Sequence, residues 1–305
     1  MRPDRRLGLL ALLVATAGCR PTPAPAGPAF AVVDSTRIGS VTQLEVAYPS
    51  DSLTVRGFLF VPDGEGPGPA VVFNHGGVTG VSEDMKRRGR HLAGLGYVVF
   101  APAYRGEGGS EGVVEVAAGE VDDMLAGTAI LAAHPRVDAA RIGAAGSSHG
   151  ALIAVLAAAR EPGRFRCLVE ACGVMDIHAW YRYLVENGFE VGDSLSVAVY
   201  GHGPQDRPEA FTRRSAVRVA AALRTPLLIQ HGVLDRIVPV EQAGIFEEAL
   251  RAEGHREVTR REYPLLGHAF WFWDDPSRHG PEEIAEANAA WADFTGFLAK
   301  HLGLS

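Results

Sequence analysis

The chain lacks the patterns by which most cofactor-binding proteins are recognised. No HExxH, paired CxxC, GxxxxGK[ST] or GxGxxG occurs in its 305 residues, and its eleven His are scattered. Sequence grounds for zinc, nucleotide or dinucleotide are therefore missing, and we assign no cofactor and no metal. Beyond the first few residues there is no Lys/Arg run with interleaved aromatics, and the net charge of −7 would repel a polyanion. Nucleic acid is excluded as a partner on these grounds, and a small molecule is expected instead. Cysteine is scarce, with three in all. Cys167 and Cys172 lie in "CLVEACGV", which reads as one buried strand. Two residues five apart on a strand are too distant to bridge, so both are expected in the core. No internal repeat is present, and no apolar run approaches the ~20 residues of a membrane-spanning helix.

What is present begins with a leader. Arg2, Arg5 and Arg6 form a basic region, Leu7 to Ala17 a short apolar one, and Ala17-Gly18-Cys19 supplies small residues at a cleavage site. Residues 1–19 read as an export signal. Cys19 after Ala17-Gly18 resembles a bacterial lipoprotein signal, with Thr16 standing where Leu is usual, and implies lipidation of Cys19. "RPTPAPAGPA", residues 20–29, is a proline-rich spacer. The expected location is outside the cytoplasm, periplasmic or anchored to the membrane by lipid, with residues 30–305 as one catalytic domain.

With 47% hydrophobic and 21% charged residues, the chain as a whole has a globular α/β composition. Val41 to Tyr48 and Leu53 to Val61 alternate apolar and polar residues around "PSD", as an antiparallel hairpin does. From Ala70 on, "AVVFNHGG", "YVVFAPAYRG", "RIGAAGSSHG", "CLVEACGV" and "TPLLIQHGVLD" are short continuous apolar runs. Such runs mark parallel strands covered on both faces. Helical patterns lie between them, at Val121 to Leu131, Gly150 to Arg160, Phe246 to Glu253 and Glu283 to Leu298. The alternation predicts a doubly wound, mostly parallel sheet, with ligands at the carboxyl ends of its strands. Residues 177–222, rich in aromatics and without a clear strand, read as an inserted helical cap.

Gly146-Ser147-Ser148-His149-Gly150 matches GxSxG, and so does Gly108-Gly109-Ser110-Glu111-Gly112. A nucleophile elbow needs a strand running into the serine and a helix leaving from it. Ser148 has that context, in "RIGAAGSSHGALIAVLAAA". Ser110 does not, because "YRGEGG" intervenes as loop, and Ser147 is out of register with the two glycines. A serine hydroxyl also needs a base, and the base needs a carboxylate to hold its tautomer. Asp235 in "QHGVLDRIVP" and His268 in "YPLLGHAF" follow Ser148 in the order Ser, acid, His, each just past a predicted strand. Asp193, Asp206, His149 and His231 are weaker alternatives. An oxyanion hole is expected from the backbone N–H of His149 and that of Gly77 in "NHGGV", with Val78 as its neighbour. Arg105 is a candidate partner for a substrate carboxylate, a structural salt bridge being the competing reading. Trp180, in the cap, is a candidate substrate contact.

"VVFNHGG", "FAPAYRGEGGSEG", "VDAARIGAAGSSHG", "TPLLIQHGVLDRIVPVEQA" and "YPLLGHAFW" together resemble the catalytic domain of prolyl oligopeptidase-type serine hydrolases, with dienelactone hydrolase-like enzymes close by. The resemblance covers most of residues 70–300. It implies an α/β-hydrolase fold with Ser148, Asp235 and His268 as the triad. Two departures stand out: the chain has no room for the β-propeller of full-length prolyl oligopeptidases, and the elbow carries Ser148 where dienelactone hydrolases use cysteine. An esterase acting through an acyl-enzyme is the expected function. A propeller-free peptidase for small peptides is the alternative, and a non-catalytic binding protein on the same fold is the alternative of another class.

Overall fold

The computed structural model describes residues 29–304. The leader, Cys19 and the spacer up to residue 28 lie outside the described residues. Nine strands form one sheet: β1 (Ala31–Ile38), β2 (Val41–Ser50), β3 (Leu53–Pro62), β4 (Gly68–Asn74), β5 (Val98–Pro102), β6 (Val137–Ser147), β7 (Leu168–Ala171), β8 (Leu227–Gly232) and β9 (Val258–Tyr263). Their spatial order is β1-β2-β3-β5-β4-β6-β7-β8-β9. The first three are antiparallel, β3 joins β5 antiparallel, and every pair from β5 to β9 is parallel. The hairpin expected around "PSD" is β2–β3.

The helices are α1 (Glu83–Gly94), α2 (Gly119–Ala133), α3 (His149–Arg160), α4 (Ile177–Glu186), α5 (Ser194–Tyr200), α6 (Pro208–Arg214), α7 (Glu241–Ala252) and α8 (Pro281–Leu302). They cover both faces of the sheet, which is why the central strands are apolar at successive positions. In β4, Ala70 and Val72 join the core shared with α2, α3 and α7, whereas Val71 and Phe73 join the core shared with α1 and α8. Each strand residue therefore leaves water whichever way it points. Helix α3 sits at the centre, with ten of its twelve residues buried, in keeping with its apolar sequence on all sides.

Three elements differ from expectation. Strand β1 is exposed along its whole length, so no buried face imprinted a pattern on it. Helix α1 was masked by its charge, since "EDMKRRGRHLAG" buries chiefly Met85, Leu92 and Ala93 among its apolar residues. "CLVEACGV" is strand only from Leu168 to Ala171. Cys172 turns away at φ 53°, and both Cys167 and Cys172 are free and buried. Within β7, Glu170 is fully buried; burial pushes its carboxyl up to about 8, and only the Gly173 N–H opposes the shift. Burial thus favours the neutral acid for this side chain.

The chain runs from β4 to its neighbour β5 and then crosses to β6 on the other side of β4. The strand order thus reverses between β4 and β6, the crevice where open α/β sheets hold their ligands. The loops after β4 and β6 are those of "NHGGV" and "GSSHG".

Candidate active site

Strand β6 runs to Ser147 and helix α3 starts at His149, so Ser148 alone makes the turn between them. Its backbone lies at φ 55°, ψ −122°, a conformation that L-residues adopt only under constraint. The two glycines of GxSxG are required by close approach. A Cβ on Gly146 would lie 2.2 Å from the Gly150 carbonyl oxygen, and one on Gly150 would lie 2.4 Å from the His75 carbonyl oxygen. The turn closes only because α3 packs directly on the ends of β6 and β4.

Asp235 and His268 reach the same place by backbone packing of the loops after β8 and β9. A Cβ on Gly232 would lie 2.3 Å from the Leu266 carbonyl oxygen, and the Leu234 N–H donates to that same oxygen at 2.9 Å. The structure brings the three side chains into one relay. His268 Nδ1 lies 2.7 Å from Asp235 Oδ2, and His268 Nε2 lies 3.0 Å from Ser148 Oγ. The other Asp235 oxygen accepts the N–H groups of Ile237 and Val238, both at 2.9 Å. Burial alone would push the Asp235 carboxyl up. The hydrogen bond and charge of His268, with the Val238 N–H, outweigh it and hold the group below its ordinary value. An ionised carboxylate only accepts, so Nδ1 carries the imidazole proton and Nε2 is free to take the one on Ser148. The Trp273 indole N–H donates to the His268 carbonyl at 3.1 Å and steadies that loop.

The other matching serine is occupied elsewhere. Ser110 Oγ accepts the Arg56 N–H of β3 at 2.9 Å, tying a glycine-rich loop to the sheet. Ser147 is buried at the end of β6. His231 sends Nε2 to the Val238 carbonyl at 2.9 Å and so braces the turn that presents Asp235. Asp193 caps α5 through the N–H groups of Leu195 and Ser196, and Asp206 accepts from His202 N.

Opposite Ser148 stands the loop after β4. A Cβ on Gly76 would come within 3.1 Å of the Ser148 Cβ, so only glycine lets this loop approach so closely. Gly77 follows at φ 71°. As the first residue of α3, His149 has no acceptor within the helix for its N–H. The two expected oxyanion donors therefore belong to segments packed against each other beside Ser148. Behind them, burial lowers His75 to about 4 and raises Glu107 to about 7, while Glu107 accepts the Gly80 N–H.

Two further candidates have different fates. Arg105 is held by Asp123, which receives its Nε and Nη2 at 3.0 and 2.8 Å, and by Asp51 and Glu115. Its guanidinium is thus committed to three carboxylates, as in the salt-bridge reading of this residue, and ties α2 to the loops before it. Trp180 donates to the Ile237 carbonyl at 2.9 Å, two residues from Asp235, and lines a cavity of about 320 Å³ in the segment between β7 and β8. Ile177, Leu184, Leu195 and Phe211 supply apolar wall, and Glu190 a carboxylate. Glu120 and Arg214, which pin residues 115–118, were not singled out from the sequence. Nothing in their local pattern marks them, because their partners are backbone groups.

Ligating atoms of Cys172, Asp235 and His268 lie within 4.8 Å of one another. The Asp235–His268 hydrogen bond already engages two of the three, and burial raises the Cys172 thiol well above its ordinary value, so the thiol is a neutral packing group.

A doubly wound sheet with a strained serine at its central strand-to-helix turn, and a histidine and a carboxylate behind it, defines an α/β-hydrolase fold of the serine hydrolase class. Residues 85–304 match the family model described as the prolyl oligopeptidase family. The chain belongs to that family, and it is a serine hydrolase. Among its relatives, the "Uncharacterized peptidase YtmA" of Bacillus subtilis is 29% identical over 245 residues, 78% of this chain and 92% of the relative. A "Putative carboxymethylenebutenolidase" of Methylorubrum extorquens is 31% identical over 239 residues, 74% and 71% of the two chains. In fold, the chain is similar to the acylaminoacyl peptidase of Pyrococcus horikoshii, with a TM-score of 0.66 and 22% identity over 78% of this chain. It spans 39% of that peptidase's length.

Proposed function

We propose that the protein hydrolyses carboxylic esters of small, largely apolar acyl or alkyl groups, with Ser148 as nucleophile, His268 as general base and acid, and Asp235 as the group that orients and charges against His268. The hydrogen-bonded relay of 2.7 and 3.0 Å carries this reading. His268 takes the Ser148 proton as Oγ attacks the carbonyl, and the developing oxyanion meets the N–H groups of His149 and the Gly77 segment. His268 then returns the proton to the leaving alcohol. Water, activated by the same imidazole, releases the acid from the acyl-enzyme.

What supports an ester is the cavity beside Trp180: Ser148 and His268 do not line it, but Trp180 joins its wall to the turn that carries Asp235, and its size and mainly apolar wall suit a ring or a branched chain with few polar anchors. One observation favours a second reading. Glu190 on the cavity wall could meet the amino group of an aminoacyl amide, which would make this a small-peptide peptidase; the relatives' names divide between peptidase and butenolidase. The test compares kcat/KM for a natural alkyl ester with that for aminoacyl and prolyl amides. We expect the ester to be preferred by at least about tenfold, since an amide also demands protonation of its leaving amine and costs more alignment energy. Amide turnover with negligible hydrolysis of the alkyl ester would reverse the assignment.

We also propose export, with Cys19 as a lipid-bearing residue that would hold the enzyme at a membrane surface. Intact mass of the exported protein is expected to show a chain starting at an acylated Cys19; a start well away from it, without acyl mass, overturns the proposal.

A further inference from the structure

The imidazole of His149 stands beside the nucleophile yet belongs to no part of the relay. It is buried, and both its nitrogens are engaged. Nδ1 lies 2.9 Å from the Gly77 carbonyl oxygen, and Nε2 lies 2.9 Å from the Ala117 nitrogen. The Ala117 N–H can only donate, so Nε2 must accept and the single proton of a neutral ring sits on Nδ1, pointing at Gly77. Burial lowers the pKa of this ring, which keeps it in the neutral form that both bonds require.

Each end of this strut meets a segment that needs holding. An added Cβ at Gly77 would meet nothing within 4 Å, so packing does not fix that residue, and its φ of 71° is one that glycine leaves freely. At the other end, Val116 and Ala117 adopt φ 55° and 54°, positive values that cost non-glycine residues energy. Residues 115–118 are nonetheless fixed. Glu120 accepts the N–H groups of Glu115, Val116 and Ala118, and Arg214, from α6, donates to the carbonyls of Glu115 and Val116. The Ala117 N–H is the one in this run that Glu120 does not take; it goes to His149. Val116 also lines the cavity beside Trp180.

We propose that the His149 side chain is a positioning residue for the oxyanion hole: it transmits the rigidity of the 115–118 segment, clamped by Glu120 and Arg214, to the Gly77 carbonyl. Because the peptide unit is planar, fixing that carbonyl fixes the direction of the Val78 N–H on its far side and the torsion of Gly77 itself. The residue that offers its backbone N–H to the oxyanion thus holds the second donor segment with its ring. This inference rests on the proposed role of Ser148.

The experiment measures His149→Phe, His149→Asn and His149→Gln in the full-length enzyme, with every rate referred to sites titrated by a fluorophosphonate. Asn can still donate to the Gly77 carbonyl, Gln can still accept from Ala117, and Phe can do neither. We expect His149→Phe to lose about 10- to 100-fold in kcat with KM changed by less than about threefold, because a displaced donor acts on the transition state more than on bound ester. A trifluoromethyl ketone, which forms an oxyanion on Ser148, should lose affinity by the same factor as kcat/KM. His149→Asn should recover more of kcat than His149→Gln. Wild-type kcat per titrated site in His149→Phe, unchanged ketone affinity, or a Gln variant at least as active as Asn would overturn the proposal. Should the Phe variant not fold, the order of Asn and Gln decides. Wild-type protein whose Ser148 takes no label would overturn the functional reading and this inference together, an outcome distinct from a labelled wild type with indifferent His149 variants.

Discussion

Ser148→Ala is expected to lower kcat by about 10⁵- to 10⁶-fold, because only substrate binding and the oxyanion donors would survive the loss of the proposed nucleophile. Folding should be little affected, since the Ser148 side chain caps no helix and its hydroxyl partner is His268. The control is Ser110→Ala, in the competing GxSxG match. It leaves the Arg56 N–H without its acceptor and should cost about 1 kcal/mol of stability, with kcat near wild type. Combining Ser148→Ala with His268→Ala should add almost nothing, since the groups act as one unit. Steady-state hydrolysis of an activated ester checks all three. A dead Ser110→Ala enzyme alongside an active Ser148→Ala enzyme would move the nucleophile to the other loop.

Asp235→Asn is expected to lower kcat by about 10⁴-fold at neutral pH with the fold intact. The amide that replaces the carboxylate can keep one oxygen toward the N–H groups of Ile237 and Val238. It then turns its NH₂ toward His268 Nδ1, which forces the imidazole proton onto Nε2 and leaves Ser148 facing a donor instead of a base. The same group also contributes to how stability depends on pH. Because the folded Asp235 carboxyl lies below its ordinary value, the stability it contributes is complete above the unfolded value and is lost as pH falls through the folded one. At neutral pH the carboxylate is charged and the full effect of its removal is read in kcat. Activity within tenfold of wild type in Asp235→Asn would show that another acceptor orients His268.

The relay was legible in the sequence because each member sits just past a predicted strand, apolar before Ser148 and Asp235 and charged before His268. "RIGAAG", "TPLLIQHG" and "EVTRREY" declare strands β6, β8 and β9, and a parallel sheet delivers the ends of such strands to one edge. GxSxG alone was ambiguous between Ser110 and Ser148, and the strand-to-helix context resolved it. Local patterning could not reveal β1, which buries nothing, or α1, whose charged surface obscures a narrow apolar stripe. Arg105 shows the opposite limit: "YRG" displays a cation, but a cation's partners lie elsewhere in the chain. Here Asp51 and Asp123, 54 and 18 residues away, neutralise it.

Sequence by itself determined the doubly wound sheet, the serine at its elbow and the acid and histidine that follow, because hydrophobic period and glycine placement are local properties of the chain. Tertiary structure alone decided what surrounds them. That the loop at Gly76 lies so near Ser147 and Ser148 that a side chain there would crowd them, and that His149 bridges Gly77 to Ala117, are contacts between segments far apart in sequence. Those pairings rest on backbone N–H and carbonyl groups, which every residue carries alike. Only the folded geometry selects which of them meet.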